Sequence, residues 1–141
     1  MAFENPSRDR IKEILQDAGN IAIVGLSDRP DRVSYMVAGA MMDRGYRIIP
    51  VNPKATEILG EKCYPTLKDI PEPVDIVNVF RRSDAIPEVA EEAIAIGAKT
   101  LWTQLEIIHE GAAQQCLDAG MNVIMDRCIK VEDAILKPVR K

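Results

Sequence analysis

The feature that most constrains this chain is a unit that occurs four times: a helix-like stretch, a glycine, then a short apolar run rich in β-branched residues. The four copies read DAGNIAIVG, DRGYRIIPV, AIGAKTLWTQ and DAGMNVIMD, with glycines at Gly19, Gly45, Gly97 and Gly120. A glycine just past a helix supplies the left-handed residue that ends it. The run that follows is apolar on both faces, the pattern of a strand buried within a parallel sheet. The stretches ahead of the glycines carry helical spacing: Ile11, Ile14, Leu15 and Ala18, then Val33, Val37, Ala40 and Met41. The third stripe is Ile86, Val89, Ala90, Ala93 and Ile94, and the fourth is Ala112, Ala113, Cys116 and Leu117. Asn5-Pro6 reads as a cap and first-turn proline for the first helix. A further apolar run, VDIVNVF, covers Val74 to Phe80 ahead of the third helix.

Strands are therefore expected at about 21–25, 47–51, 74–79, 99–103 and 122–125, the last followed by a short tail. Strand and helix alternate, which predicts an α/β fold: one Rossmann-type doubly wound parallel sheet with helices on both faces and right-handed crossovers. The link from Asn52 to Pro73 holds four of the nine prolines and reads as a structured loop with one helical turn. At 141 residues the chain is expected to form a single domain over 1–141.

Charge and cysteine usage narrow the function. A formal net charge of -4 argues against general nucleic-acid binding, which needs a basic face to displace counterions. No apolar run is long enough to span a bilayer, so no membrane partner is expected. The start, MAFENPSRDR, is too polar for a secretory signal. Cys63, Cys116 and Cys128 are far apart with no CxxC, which points away from a disulfide framework or zinc site and toward a cytoplasmic location.

In doubly wound folds ligands bind beyond the carboxyl ends of the strands. The first such loop, GLSDRPDRVS, has one glycine where a dinucleotide fingerprint has three. It leads into a helix starting near Val33 and Ser34, whose free N–H groups suit phosphate. Ser27 and Ser34 add hydroxyls, while Arg29 and Arg32 add charge. Arg29 alone reads as a solvated side chain; the whole loop reads as a phosphate site. The second strand ends in Asn52, Pro53 and Lys54, where an NAD site wants a carboxylate for the ribose hydroxyls. A cation there suits a phosphorylated ribose, as in NADP or in coenzyme A with its 3′-phosphate.

At the third strand end Phe80 either walls an adenine or packs in the core. Of the adjacent Arg81 and Arg82 one is expected to face inward, and Ser83 or Asp84 to cap the next helix. At the fourth, Trp102 reads as core, and Thr103 and Gln104 as neutral hydrogen-bonding groups. Catalytic signatures are missing: no G-x-S-x-G elbow, no Walker motif and no HExxH. His109 is the only histidine and reads as structural, and Cys128, with no second histidine to pair with, reads as buried and inert.

The segments IVGLSDRPDRVSYMV, GYRIIPVNPKATEILGEKCYPTL, IPEPVDIVNVFRRSDAIPEV, AIGAKTLWTQLEIIHEGAA and AGMNVIMDRCIKVE cover nearly the whole chain in order. Together they resemble the stand-alone CoA-binding domain family, itself similar to the N-terminal CoA-binding domain of the succinyl-CoA synthetase alpha subunit. The resemblance implies a Rossmann-type fold that binds coenzyme A or an acyl-CoA along the carboxyl edge. Carried over by position, Gly25, Leu26, Ser27, Arg32, Val33 and Ser34 would hold the pyrophosphate region. Pro53 and Lys54 would meet the ribose phosphate, Val79, Phe80 and Arg81 the adenosine, and Thr103 and Gln104 the pantetheine arm. After TQL the family usually has a glycine, where this chain has Glu106. In the ligase a second domain carries the phosphorylated histidine. This chain stops where that domain would begin, so no ligase turnover by it alone is expected. The alternatives are an NAD(P)-linked redox enzyme or sensor, and an interaction scaffold with a vestigial nucleotide site. A homo-oligomer or an unidentified protein partner is compatible with all three.

Overall fold

In the computed structural model, which describes residues 3–139, each apolar run becomes a strand and each periodic stretch a helix. The order is α1 (Arg8–Asp17), β1 (Asn20–Val24), α2 (Val33–Asp43), β2 (Arg47–Val51), β3 (Glu57–Ile58), β4 (Glu61–Lys62), β5 (Ile76–Val79), α3 (Ile86–Ala95), β6 (Thr100–Thr103), α4 (Glu110–Asp118), β7 (Asn122–Ile124) and α5 (Ile129–Leu136). The main sheet has five strands in the order β2-β1-β5-β6-β7, parallel throughout. Ile23 lies opposite Pro50 on one side and Asn78 on the other. The chain moves outward from β1 first to β2 and later to β5, so the strand order reverses at β1 and leaves a crevice at its carboxyl end.

Alternation along the strands explains why the runs are apolar on both faces. Ala22, Val24, Val77, Val79 and Leu101 join Val89 and Ala93 of α3 and Ala113 and Cys116 of α4 in one buried cluster. Ile21, Ile23, Ile76, Trp102 and Ile124 face the other way, onto Ile11 and Leu15 of α1, Val37 and Met41 of α2, and Ile129 of α5. A one-residue slip of any central strand would exchange these sets.

Several local expectations need correction. Gly45, Gly97 and Gly120 have positive φ and close their helices as expected, whereas Gly19 does not, because α1 ends on an extended Ala18. The cap of α1 is Ser7, whose Oγ accepts from the Arg10 N–H at 3.2 Å. Asn5 instead pairs its side-chain amide with both the N–H and the C=O of Met125, at 2.8 Å each, covering the open edge just past β7. Ser83 and Asp84 belong to a 3₁₀ turn, and Ala85 occupies the cap position of α3. Val33 and Leu117, expected in apolar stripes, are exposed. The proline-rich link contains the expected helical turn, at Leu67–Asp69, and also the unexpected β3–β4 hairpin. The short tail holds a fifth helix. Its buried face carries Glu132 and Asp133, while Val131 and Ile135 face out. Asp133 is accommodated by the Tyr46 hydroxyl at 2.5 Å and by Arg44 at 3.2 Å.

Candidate functional site

A cleft of about 1170 Å³ opens at the carboxyl ends of β2, β1 and β5, on the α3 side of the sheet. Gly25 is among its lining residues. Its N–H donates to Val51 at 3.0 Å, and the adjacent Val24 carbonyl accepts from Phe80 at 2.8 Å, so three strand ends converge there. The backbone has φ of +83°, and a Cβ would lie 2.6 Å from the Phe80 carbonyl oxygen. Among the glycines this is the one where an added Cβ would meet another backbone within 3 Å, so the position requires glycine.

Asn52 connects the first two loops. Its Nδ2 donates to the Leu26 carbonyl at 2.9 Å, and its Oδ1 accepts from the Lys54 N–H at 2.8 Å. The second bond is an Asx turn, which sets the direction in which Lys54 leaves the sheet. In sequence Asn52 registers only as a missing carboxylate; in the fold it is the clamp that presents the lysine. Behind it Cys63 donates from Sγ to the Asn52 carbonyl at 3.4 Å, and burial pushes this thiol's pKa up.

Of the residues that the resemblance assigns to the ligand, five line the cleft: Gly25, Pro53, Lys54, Phe80 and Arg81. Leu26, Val79 and Thr103 are fully buried. The Thr103 hydroxyl donates to the Ile107 carbonyl at 2.6 Å and accepts from the Asp126 N–H at 3.3 Å, so it holds a loop rather than facing the cleft. Gln104 is half-buried beside it, and its Oε1 is out of contact with water and has no hydrogen-bond partner. Ser27, Arg32, Val33 and Ser34 sit on the first loop and the start of α2, outside the lining of the cleft. The Ser34 Oγ accepts from the Ser27 N–H at 3.0 Å, and the Ser27 Oγ accepts from Arg29 at 3.1 Å. The loop is thus held in shape by its own hydroxyls. The cap position of α2 is Arg32, with no side-chain cap bond, which leaves first-turn N–H groups open to an anion.

The charges divide in the same way. Among the described residues Arg32 and Arg81 are the arginines whose side chains have no hydrogen bond or ion pair, and both lie at the carboxyl edge. Lys54 is exposed and also free of an acidic partner, whereas Arg82 pairs with Asp84 at 3.7 Å and Arg29 with Asp31 at 3.6 Å. Sequence reasoning missed the far wall of the cleft, formed by Pro65, Thr66 and Leu67 together with Glu88, Val89 and Glu92 of α3. The proline-rich link was the available signal, since a structured loop of that length commonly serves a site. Leu105, Glu106 and Ile107 close the other end. Glu106 has φ of +66°, which explains why a glycine is the easier residue there, and its N–H donates to Asp126 Oδ1 at 2.7 Å. His109 caps α4 through Nδ1, which accepts from Ala112 at 3.0 Å.

A parallel doubly wound sheet with a cleft at its reversal point, lined by apolar, basic and acidic side chains, defines a Rossmann-like α/β protein. More narrowly, the chain belongs to the CoA-binding domain family, whose model matches residues 19–134. It is 54% identical over 135 residues to uncharacterized protein YneT of Bacillus subtilis, covering 96% of this chain and all of that one. A solved hypothetical protein from Pyrococcus horikoshii superposes with a TM-score of 0.91 at 35% identity, over 97% of this chain and 99% of that one. An ADP-forming acetate–CoA ligase of Methanocaldococcus jannaschii is 32% identical over 80 residues, which is 57% of this chain but 11% of the ligase. No helix among the described residues is long and apolar enough to cross a membrane.

Proposed function

We propose that this protein binds coenzyme A or an acyl-CoA along the carboxyl edge of its sheet, as a binding module rather than a catalyst. In this reading the 3′-phosphate meets Lys54, and the adenosine occupies the cleft between Pro53, Phe80 and α3. The diphosphate lies by Arg81 and the first loop, where Arg32 and the open N–H groups of α2 face it. The pantetheine arm runs toward Gln104, whose unpartnered Oε1 suits an amide N–H. Thr103 contributes by holding the 104–107 loop.

The observation that carries the reading is the unpaired Lys54 at the end of β2, set by Asn52, where a dinucleotide site would hold a carboxylate. Binding rather than turnover is favoured because the family to which the chain belongs is described by CoA binding. The test is thermal unfolding with added ligand. A ligand bound only by the folded state adds RT ln(1 + [L]/Kd), about 2.7 kcal/mol at one hundred times Kd. CoA is expected to raise the melting temperature and NAD to leave it unchanged; equal shifts with both overturn the reading.

A further inference from the structure

At the corner of the cleft beneath α3, hydrogen-bond donors and acceptors are out of balance. Thr66 gives both its N–H and its hydroxyl to Asp69 Oδ2, at 3.1 and 2.9 Å. The Leu67 N–H donates to Glu92 Oε1 at 3.1 Å. The donors of that corner are therefore occupied. Glu92 is half-buried and lines the cleft, and its second carboxylate oxygen has no partner among the described residues. The other acidic residues of the lining, Asp84, Glu88 and Glu106, are all exposed. Pro53, Pro65, Leu67 and Val89 give the corner apolar walls, and Lys54, at the end of β2, lines the same cleft and has no ion pair with Glu92.

We propose that Glu92 selects the base of the bound nucleotide: its free oxygen accepts a hydrogen bond from an exocyclic amino group, which adenine carries at position 6 and unsubstituted purine does not. This rests on the reading of the cleft as a coenzyme A site. A carboxylate repels phosphate and attracts an amino donor, whereas Lys54 does the reverse. The pair therefore orients an adenosine 3′-phosphate, with the base toward α3 and the phosphate toward the end of β2. The Leu67 N–H fixes the carboxylate in place before the ligand arrives, so little side-chain freedom is lost on binding.

The experiment is calorimetric titration with adenosine 3′,5′-bisphosphate and purine riboside 3′,5′-bisphosphate, which differ only in the amino group at position 6, with CoA titrated alongside. The wild type is expected to bind the adenosine compound about ten-fold more tightly, the scale of one charge-assisted hydrogen bond in a half-open site. Glu92→Gln retains an oxygen for the Leu67 N–H and turns an amide donor toward the ligand, so the preference is expected to vanish or reverse. Equal affinity of the wild type for the two bisphosphates overturns the assignment, and that ratio decides the matter even where the variant is unstable. An unchanged ratio in a folded Glu92→Gln also overturns it. If CoA binds while either of these holds, only the base assignment falls; if neither CoA nor the adenosine compound binds, the coenzyme reading falls with it.

Discussion

The two edges of the sheet have the same strands and opposite habits. At the amino edge the polar groups are satisfied from within. Asp75 accepts from the N–H groups of Gly19 and Asn20, both at 2.8 Å, and from Lys99 at 3.4 Å. Arg47 forks onto Glu72 at 2.8 and 2.7 Å and reaches Glu61 at 3.4 Å. At the carboxyl edge Arg32, Arg81 and Lys54 have no such partners among the described residues, Gln104 keeps an orphan acceptor, and Glu106 and Asp126 hold left-handed backbone. The contrast teaches where the fold places stability and where it leaves groups open to a ligand. Substitutions at the amino edge should change stability alone, and those at the carboxyl edge should separate stability from affinity.

The largest expected effect comes from Gly25→Ala. The added methyl meets a carbonyl oxygen at 2.6 Å, and φ of +83° is already unfavourable for alanine. Because the obstacle is backbone, relief requires the ends of β1 and β5 to part. A loss of about 2–4 kcal/mol is expected in urea unfolding, together with weaker CoA binding. A variant as stable as the wild type would show that the strand ends yield more easily than this packing implies.

Asp75→Asn comes next, and it tests the amino edge. Burial raises the Asp75 pKa, but the N–H groups of Asn20 and Gly19 and the charge of Lys99 outweigh it, so its pKa lies below the ordinary carboxylate value. The variant is expected to lose about 1.5–3 kcal/mol, with CoA affinity unchanged. The sign with pH follows from the depressed pKa: the stabilisation is full above the unfolded value near ~4 and is lost as pH falls through the folded value. The gap between wild type and variant should therefore close in acid, read by melting curves from neutral pH downward. A gap that widens in acid would contradict the assigned partners.

What could be read in the sequence follows from which forces act locally. The five main strands were legible because strands buried on both faces are apolar at most positions, Asn78, Thr100 and Thr103 being buried exceptions. α5 was not, because its buried face mixes Ile129 with Glu132 and Asp133 while Val131 and Ile135 are exposed, which blurs the usual period. The β3–β4 hairpin has strands of two residues each, too short to show a period. The same division runs through the site. The ends of β1, β2 and β5 were legible from topology, and Gly25, Pro53, Lys54, Phe80 and Arg81 of the residues assigned to a ligand there line the cleft. The wall at Pro65–Leu67 and Glu92 was not, because it forms by a contact between residues 25 apart. Thr103 was expected at the ligand, but a carbonyl four residues on takes its hydroxyl proton first.

Lys54→Ala sharpens the comparison from the carboxyl edge. Lys54 has no ion pair to lose, so stability should hold while CoA affinity falls roughly ten-fold, or ~1.4 kcal/mol. Dephospho-CoA, which lacks the 3′-phosphate, should bind wild type and variant equally in the same titration. Equal losses for both ligands would make Lys54 a structural residue and remove the phosphate assignment.

The smallest effect separates two neighbours that share a strained backbone. Glu106 and Asp126 have φ of +66° and +57°, and the N–H of the first donates to Oδ1 of the second. A left-handed residue other than glycine costs about 1–2 kcal/mol, least for Asp, whose short side chain bonds locally. Glu106→Gly removes that cost and keeps the hydrogen bond, since the N–H belongs to the backbone. The variant's unfolded chain gains freedom, which returns about 0.4–1 kcal/mol of the benefit. A net gain of about 0.5–1 kcal/mol remains, visible as a higher urea midpoint with an unchanged slope. Asp126→Gly should go the other way, because it deletes the acceptor that holds the Glu106 N–H along with the little strain Asp126 bears. Opposite signs at two adjoining left-handed residues would separate strain from side-chain bonding at this end of the cleft. If both variants gain stability, the 2.7 Å bond contributes less than the backbone strain it accompanies.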